Sequence, residues 1–207
     1  MSLKTYSKFQ SNRIKDHYNE CCKTAGNSIA AVNWFNCKVQ NTRFSVLSQI
    51  ANLDQQSVLD IGAGLGDFYG FLSLSYKDFS YLGIDFSEKM LSFAKKNFPD
   101  ANFKPADFLS SDFFDFFDYL FVSGTFNHRI EDNLVYINFA IEKMFTLAKK
   151  GVAFNLLSSY SPLEKKNTRL FFYYSPEKIL EICFKYTKNI VFKHDYLPND
   201  FTIYMYK

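Results

Sequence analysis

The stretch from Ser57 to Gly66 constrains the fold more than any other part of the chain. Val58-Leu59-Asp60-Ile61 is a short apolar run without alternation, the pattern of a strand covered on both faces. It leads directly into Gly62-Ala63-Gly64-Leu65-Gly66-Asp67, after which Phe68, Phe71 and Leu72 take up helical spacing. Glycines at such a handover let the chain turn sharply and let a ligand approach the backbone with no Cβ in the way. Tyr81-Leu82-Gly83-Ile84-Asp85 is a second strand of the same kind. It ends in a carboxylate about twenty residues downstream, where an acid can accept both hydroxyls of a ribose. The alternative is a tight strand-to-helix turn with no ligand.

The remaining pattern extends this start into an α/β domain. Lys8 to Gly26 reads as a polar helix, and Val39, Phe44, Leu47, Ile50 and Leu53 recur at helical spacing. Ser87 is an expected N-cap for a helix carrying Leu91, Ala94 and Phe98. Phe103 starts a third strand, Tyr119 to Val122 form a fourth, and Leu134 to Ala148 give one face of a long helix. Val152 to Leu157 form a fifth strand, and Ser175-Pro176 opens another helix. Strands separated by helix-length segments predict a parallel sheet wrapped on both faces. The last two strands, Ile190 to His194 and Thr202 to Tyr206, are joined by too short a link for a parallel return, so the sheet carries one reversed strand.

The chain's 207 residues suit one domain. Residues 1–54 are expected to form a helical cap or lid, and residues 55–207 the ligand-binding domain, as one structural unit. Aromatic residues make up 19%, with 25 Phe and 14 Tyr, so the core is built largely from rings. A net charge of +3 with no long basic run does not imply nucleic acid. Cys21, Cys22, Cys37 and Cys183 lack the spacing of zinc sites or redox dithiols and read as reduced thiols of a cytoplasmic protein. Neither a signal peptide nor a membrane span is expected.

The glycine spacing separates two ligand classes. A dinucleotide fingerprint needs its third glycine at position 67, where Asp67 would oppose a pyrophosphate. The Gly62-x-Gly64-x-Gly66 loop, with Asp60 before it and Asp85 after the second strand, instead resembles the first motif of the class I S-adenosylmethionine-dependent methyltransferases. The resemblance extends from Ser57 to the C-terminus. It implies a Rossmann-like, seven-stranded, mostly parallel sheet of order 3-2-1-4-5-7-6 with strand 7 antiparallel, and S-adenosyl-L-methionine as cofactor. It implies that Asp60 lies near the methionine part of the cofactor, that Gly62, Ala63, Gly64 and Gly66 pass beneath it, that Asp85 binds the ribose and that Phe86 flanks the adenine. Asp107 is similar to the family's acid at the adenine amino group, with Phe108 as a stacking ring or a core residue.

The methyl acceptor is expected at the carboxyl ends of the strands, beside Ser123-Gly124-Thr125-Phe126-Asn127-His128-Arg129. Ser123, Gly124 and Asn127 are candidates for the methionine end of the cofactor. His128 is the candidate general base, or else a surface histidine. The Asn/Asp-Pro-Pro-aromatic pattern that resembling enzymes use on base amines is missing here, as is the Pro-Cys pair used on cytosine rings. A small-molecule acceptor is therefore expected, with a protein or RNA acceptor, or a cofactor-binding protein without turnover, as alternatives. A dinucleotide oxidoreductase is the further alternative. Tyr18, Trp34, Gln40 and Arg43 are candidates for the wall in front of the loop. Arg43, placed on the polar side of its helix, either pairs with the cofactor carboxylate or is solvated. No spacing singles out a metal-binding trio, and no metal is expected. The residues between Ser158 and Tyr174 either close over an acceptor or pack as a further element, and the protein is expected to be a monomer or homodimer.

Overall fold

The computed structural model describes residues 37–109, 113 and 115–207. The expected helix from Lys8 to Gly26, and the wall candidates Tyr18 and Trp34, lie outside the described residues. In chain order the elements are α1 (Cys37–Ser48), β1 (Ser57–Ile61), α2 (Asp67–Ser75), β2 (Ser80–Asp85), α3 (Glu88–Asn97), β3 (Asn102–Pro105), β4 (Phe117–Ser123), α4 (Asn133–Leu147), β5 (Ala148–Leu157), α5 (Pro176–Cys183), β6 (Ile190–Lys193) and β7 (Asp200–Tyr206). Short 3-10 turns occupy Thr125–Asn127 and Leu163–Lys165.

The strands form one seven-stranded sheet in the order β3-β2-β1-β4-β5-β7-β6. β1 to β5 run parallel, and β7 runs antiparallel to both β5 and β6, as the short β6–β7 link requires. Alternation along each strand divides the interior into two layers. Leu59 and Ile61 of β1 face one way, with Leu120, Val122, Phe154 and Ile203, against α4 and α5. Val58 faces the other way, with Tyr81, Phe121 and Tyr204, against α1, α2 and α3. Asp60, two positions from Val58, therefore projects into the second layer.

The helices begin where the sequence places their caps. Ser87 Oγ accepts from Met90 N–H, and Ser175 Oγ accepts from Lys178 N–H, with Pro176 in the first turn of α5. α1 crosses its layer lengthwise. At its C-terminal end Val46 O and Ile50 O accept from the hydroxyls of Tyr204 and Tyr206. At its N-terminal end it reaches the carboxyl edge of the sheet through Gln40 and Arg43, where the glycine loop lies.

Candidate active site

The handover from β1 to α2 is held by its own backbone. Gly62 N–H and Ala63 N–H both donate to Ile84 O, at 2.8 and 3.0 Å, and Gly66 N–H donates to Ala63 O at 2.9 Å. Gly62, Gly64 and Gly66 have φ of 79°, 55° and 84°, a region that costs other residues strain. At Gly62 space adds a second requirement, because a Cβ there would stand 2.1 Å from Thr125 Oγ1. Thr125 itself donates to Ile61 O at 3.1 Å, so the loop after β4 is keyed against the glycine loop.

Asp85 closes this loop from the end of β2. Its Oδ2 accepts from Gly64 N–H at 3.1 Å and its Oδ1 from Ser87 N–H at 2.8 Å, which fixes the carboxylate beside the loop with 8% exposure. Ala106 N–H donates to Asp85 O, tying the segment after β3 to the same edge. Half-buried Phe86 and Asp107 therefore flank Asp85, with Asp107 Oδ1 accepting from Leu109 N–H at 3.1 Å.

Two further carboxylates lie on the α1 and α2 side of the loop. Asp60 is 2% exposed and accepts from the Tyr81 hydroxyl at 2.6 Å. Burial pushes its pKa up to about 7; the Tyr81 hydrogen bond opposes the rise, and Asp85 and Asp67 add to it. Asp67, at the head of α2, accepts from Gln40 Nε2 at 3.0 Å and is likewise raised by burial. Sequence reading singled out neither Tyr81 nor the Gln40–Asp67 contact. The signal for Tyr81 is strand register: Val58 pairs with Tyr81 and Asp60 with Gly83, which places the tyrosine on Asp60's face, diagonal to it.

The loop after β4 is organised by asparagines. Asn155, fully buried in β5, accepts from Gly124 N–H at 2.9 Å and donates to Ser123 Oγ at 3.4 Å. Asn127 Oδ1 accepts from Leu157 N–H at 3.0 Å, so its amide joins the turn to β5 as part of the framework. Asn133 Nδ2 donates to His128 O at 2.7 Å, and the Tyr174 hydroxyl donates to Phe126 O at 2.7 Å. His128 is buried, not a surface histidine, and its ring lies 5.4 Å from that of Phe171. The segment from Ser158 to Tyr174 returns along this loop. Arg129 N–H donates to Leu170 O, Phe172 N–H donates to Asn127 O, and Ser159 N–H donates to Tyr174 O.

One expectation is corrected, and one left open is narrowed. Arg43 is not on a polar helix face: Gln40, Arg43, Phe44 and Leu47 form one buried stripe, and the Arg43 guanidinium meets Asp200 Oδ1 at 2.6 Å. The guanidinium, buried beside the start of β7 at the carboxyl edge of the parallel strands, takes a carboxylate that the chain itself supplies. Phe108 does not stand open for an adenine. It is 6% exposed, its ring lies 6.0 Å from that of Phe113, and Lys143 Nζ lies 5.3 Å over it. Among the described residues no group of His, Cys, Asp and Glu is arranged to hold a metal ion, and no described helix is long and apolar enough to cross a membrane.

A family profile described as "Methyltransferase domain" matches residues 58–151. Rv1506c of Mycobacterium tuberculosis, named as a methyltransferase, is 31% identical over 159 residues, covering 74% of this chain and 95% of its own length. The chain belongs to the class I S-adenosylmethionine-dependent methyltransferases. The fold of this methyltransferase is shared with magnesium protoporphyrin IX methyltransferase of Synechocystis bound to the demethylated cofactor, at a TM-score of 0.65 and 14% identity over 95% of this chain and 99% of that one. A methyltransferase of Archaeoglobus fulgidus superposes at 0.66 with 15% identity, over 82% of this chain and 94% of the other.

The cofactor of this methyltransferase is S-adenosyl-L-methionine, and the donor set fits it. The amides of Gly62, Ala63, Gly64 and Gly66 are already engaged, so they present no anion seat. Around them stand the carboxylates of Asp60, Asp67 and Asp85. Acceptors with few donors suit a sulfonium, an ammonium and ribose hydroxyls, and repel a pyrophosphate.

Proposed function

We propose that this methyltransferase alkylates a small molecule held at the carboxyl edge between the His128 loop and the returning segment from Ser158 to Tyr174. The observation that carries this reading is that return. Its backbone bonds through Leu170 and Phe172 pin the segment along the loop after β4, walling the edge on the side away from α1. An edge walled by α1 on one side and by this segment on the other favours a compact acceptor over a polymer.

In this reading Asp85 holds the ribose hydroxyls, Phe86 and Asp107 meet the adenine, and Ser123 and Gly124 border the methionine end, with Asp60 beneath it. S-adenosyl-L-methionine supplies a methyl group already activated on sulfur, so direct displacement needs alignment more than acid catalysis. The chain's task is to orient the acceptor and exclude water. His128, whose ring lies 5.4 Å from that of Phe171, takes the proton of a hydroxyl or ammonium acceptor in this reading. A cytoplasmic setting belongs to this reading and is supported by the free thiols of Cys37 and Cys183.

Transfer of labelled methyl from the cofactor should be measured against a panel of small hydroxyl, amine and carboxylate compounds, alongside bulk protein and bulk RNA. Label in the small-molecule fraction is expected. Label confined to protein or RNA, or cofactor binding with no label transferred anywhere, overturns the reading.

A further inference from the structure

The Asp60 carboxyl is the deepest charged group under the glycine loop, and one side chain orients it. Tyr81 reaches diagonally from β2 to donate to Asp60 Oδ2 at 2.6 Å. The tyrosine ring is itself held, edge-on to Phe103 at 5.9 Å and tilted against Tyr69 at 5.0 Å. Gly83, two positions on along the same face of β2, packs against Phe103 and Ala63 and leaves no side chain opposite Asp60. The hydroxyl is thus placed by packing that does not depend on the hydrogen bond.

The ionisable groups facing Asp60 are Tyr81 and Asp85 from β2 and Asp67 from α2, with Tyr69 of α2 beside Tyr81. β4 pairs with Asp60 through Phe121, and α1 contributes the Gln40 amide, which is bound to Asp67. Three carboxylates gathered in a buried place resist being charged together, and the group with least water gives way first. A ligand that brings an ammonium to this place reverses that balance, because it favours the ionised acid.

We propose that Tyr81 is a positioning residue of the cofactor site: it orients Asp60 and favours its ionised form, which the cofactor requires, so that cofactor uptake by the protonated acid is coupled to release of the Asp60 proton. The proposal rests on the reading of this edge as the S-adenosyl-L-methionine site. With Asp60 titrating near 7, cofactor affinity rises with pH through that region and weakens below it. Where the acid is mostly protonated, affinity falls about tenfold for each pH unit. Tyr81→Phe keeps the ring and removes the donor that favours the charged acid, so the midpoint moves to higher pH, by about one unit.

The test is calorimetric titration of the protein, its Y81F variant and its D60N variant with S-adenosylhomocysteine from pH 5.5 to 8.5. Any titration of the ligand is common to all three proteins. 5′-Methylthioadenosine, which lacks the amino-acid part, serves as a control whose affinity should change little with pH. The expected result is a Y81F profile displaced to higher pH that converges on the parent at the alkaline end, and a D60N profile weaker and flatter throughout. A Y81F profile that superimposes on the parent, or a loss equal at every pH, overturns the proposal. If the parent binds 5′-methylthioadenosine but shows no pH dependence with S-adenosylhomocysteine, the cofactor reading survives and the Tyr81 proposal does not. Absence of binding to either ligand at any pH overturns the cofactor reading itself.

Discussion

Gly64 N–H and the Asp85 carboxylate are joined at 3.1 Å, so the middle of the glycine loop and the end of the neighbouring strand form one unit. The acid proposed to meet the ribose is thus also a structural tie of the glycine loop. This double use sets what its replacement does.

Asp85→Ala removes a charged acceptor from the ribose and frees the amides of Gly64 and Ser87. Cofactor affinity is expected to weaken ~10- to 100-fold, the effect of losing a charge-assisted hydrogen bond. Isothermal titration checks the affinity, and circular dichroism checks that the sheet persists. Unchanged affinity would mean that the ribose lies elsewhere.

Gly62→Ala forces a Cβ into Thr125 while holding an L-residue at φ 79°. The combined cost is about 2–4 kcal/mol from the backbone region and the overpacking. Pairing it with Thr125→Ala should recover the steric part only, which chemical denaturation of the single and double variants can resolve. Full recovery would show that the backbone at this position carries no strain.

Arg43→Met leaves the Asp200 carboxyl buried without its cation. Breaking a buried pair this way costs about 3–5 kcal/mol. Burial raises the Asp200 pKa and Arg43 opposes the rise. An acid whose folded-state pKa lies above its unfolded value favours the folded state at low pH, and loses that contribution as pH rises through the folded value. Removing Arg43 raises the folded value further. The deficit of the variant should therefore be smallest at acid pH, where Asp200 is protonated, and grow as pH rises, as thermal melts from acid to neutral pH would show. A deficit independent of pH argues against the ion pair.

His128→Gln should lower turnover on a hydroxyl acceptor by about 10²- to 10⁴-fold, as loss of a general base does. Cofactor affinity should stay within about twofold of the parent, since no cofactor contact is assigned to the ring. Equal turnover by both proteins across the acid and neutral range removes His128 from the chemistry.

Most of this architecture was legible in the residues. The apolar run at Val58, the caps at Ser87 and Ser175, and the short link before Thr202 specify local geometry that the tertiary structure keeps. The departures have a common origin. Helical periodicity was counted on apolar residues alone, so Gln40 and Arg43 fell outside the stripe they occupy with Phe44 and Leu47. A polar residue buried against a partner distant in the chain, as Arg43 is against Asp200, leaves no periodic trace. The same holds for Asn155, whose amide organises the loop after β4 from the buried, otherwise apolar run Val152 to Leu157. Of the two readings open for Phe108, the structure takes the core one: the ring is buried against Phe113.

The self-satisfied glycine loop has a consequence for life in a crowded cell. ATP and the nicotinamide cofactors carry the same adenosine and are abundant wherever methyl donors are made. A strand-to-helix turn whose Gly62, Ala63, Gly64 and Gly66 amides are already engaged, with Asp67 just past its last glycine, offers a polyphosphate tail fewer donors and a negative neighbour to meet. The bias against those competitors thus lies in how the main chain folds, and it would persist through any change of acceptor on the opposite wall.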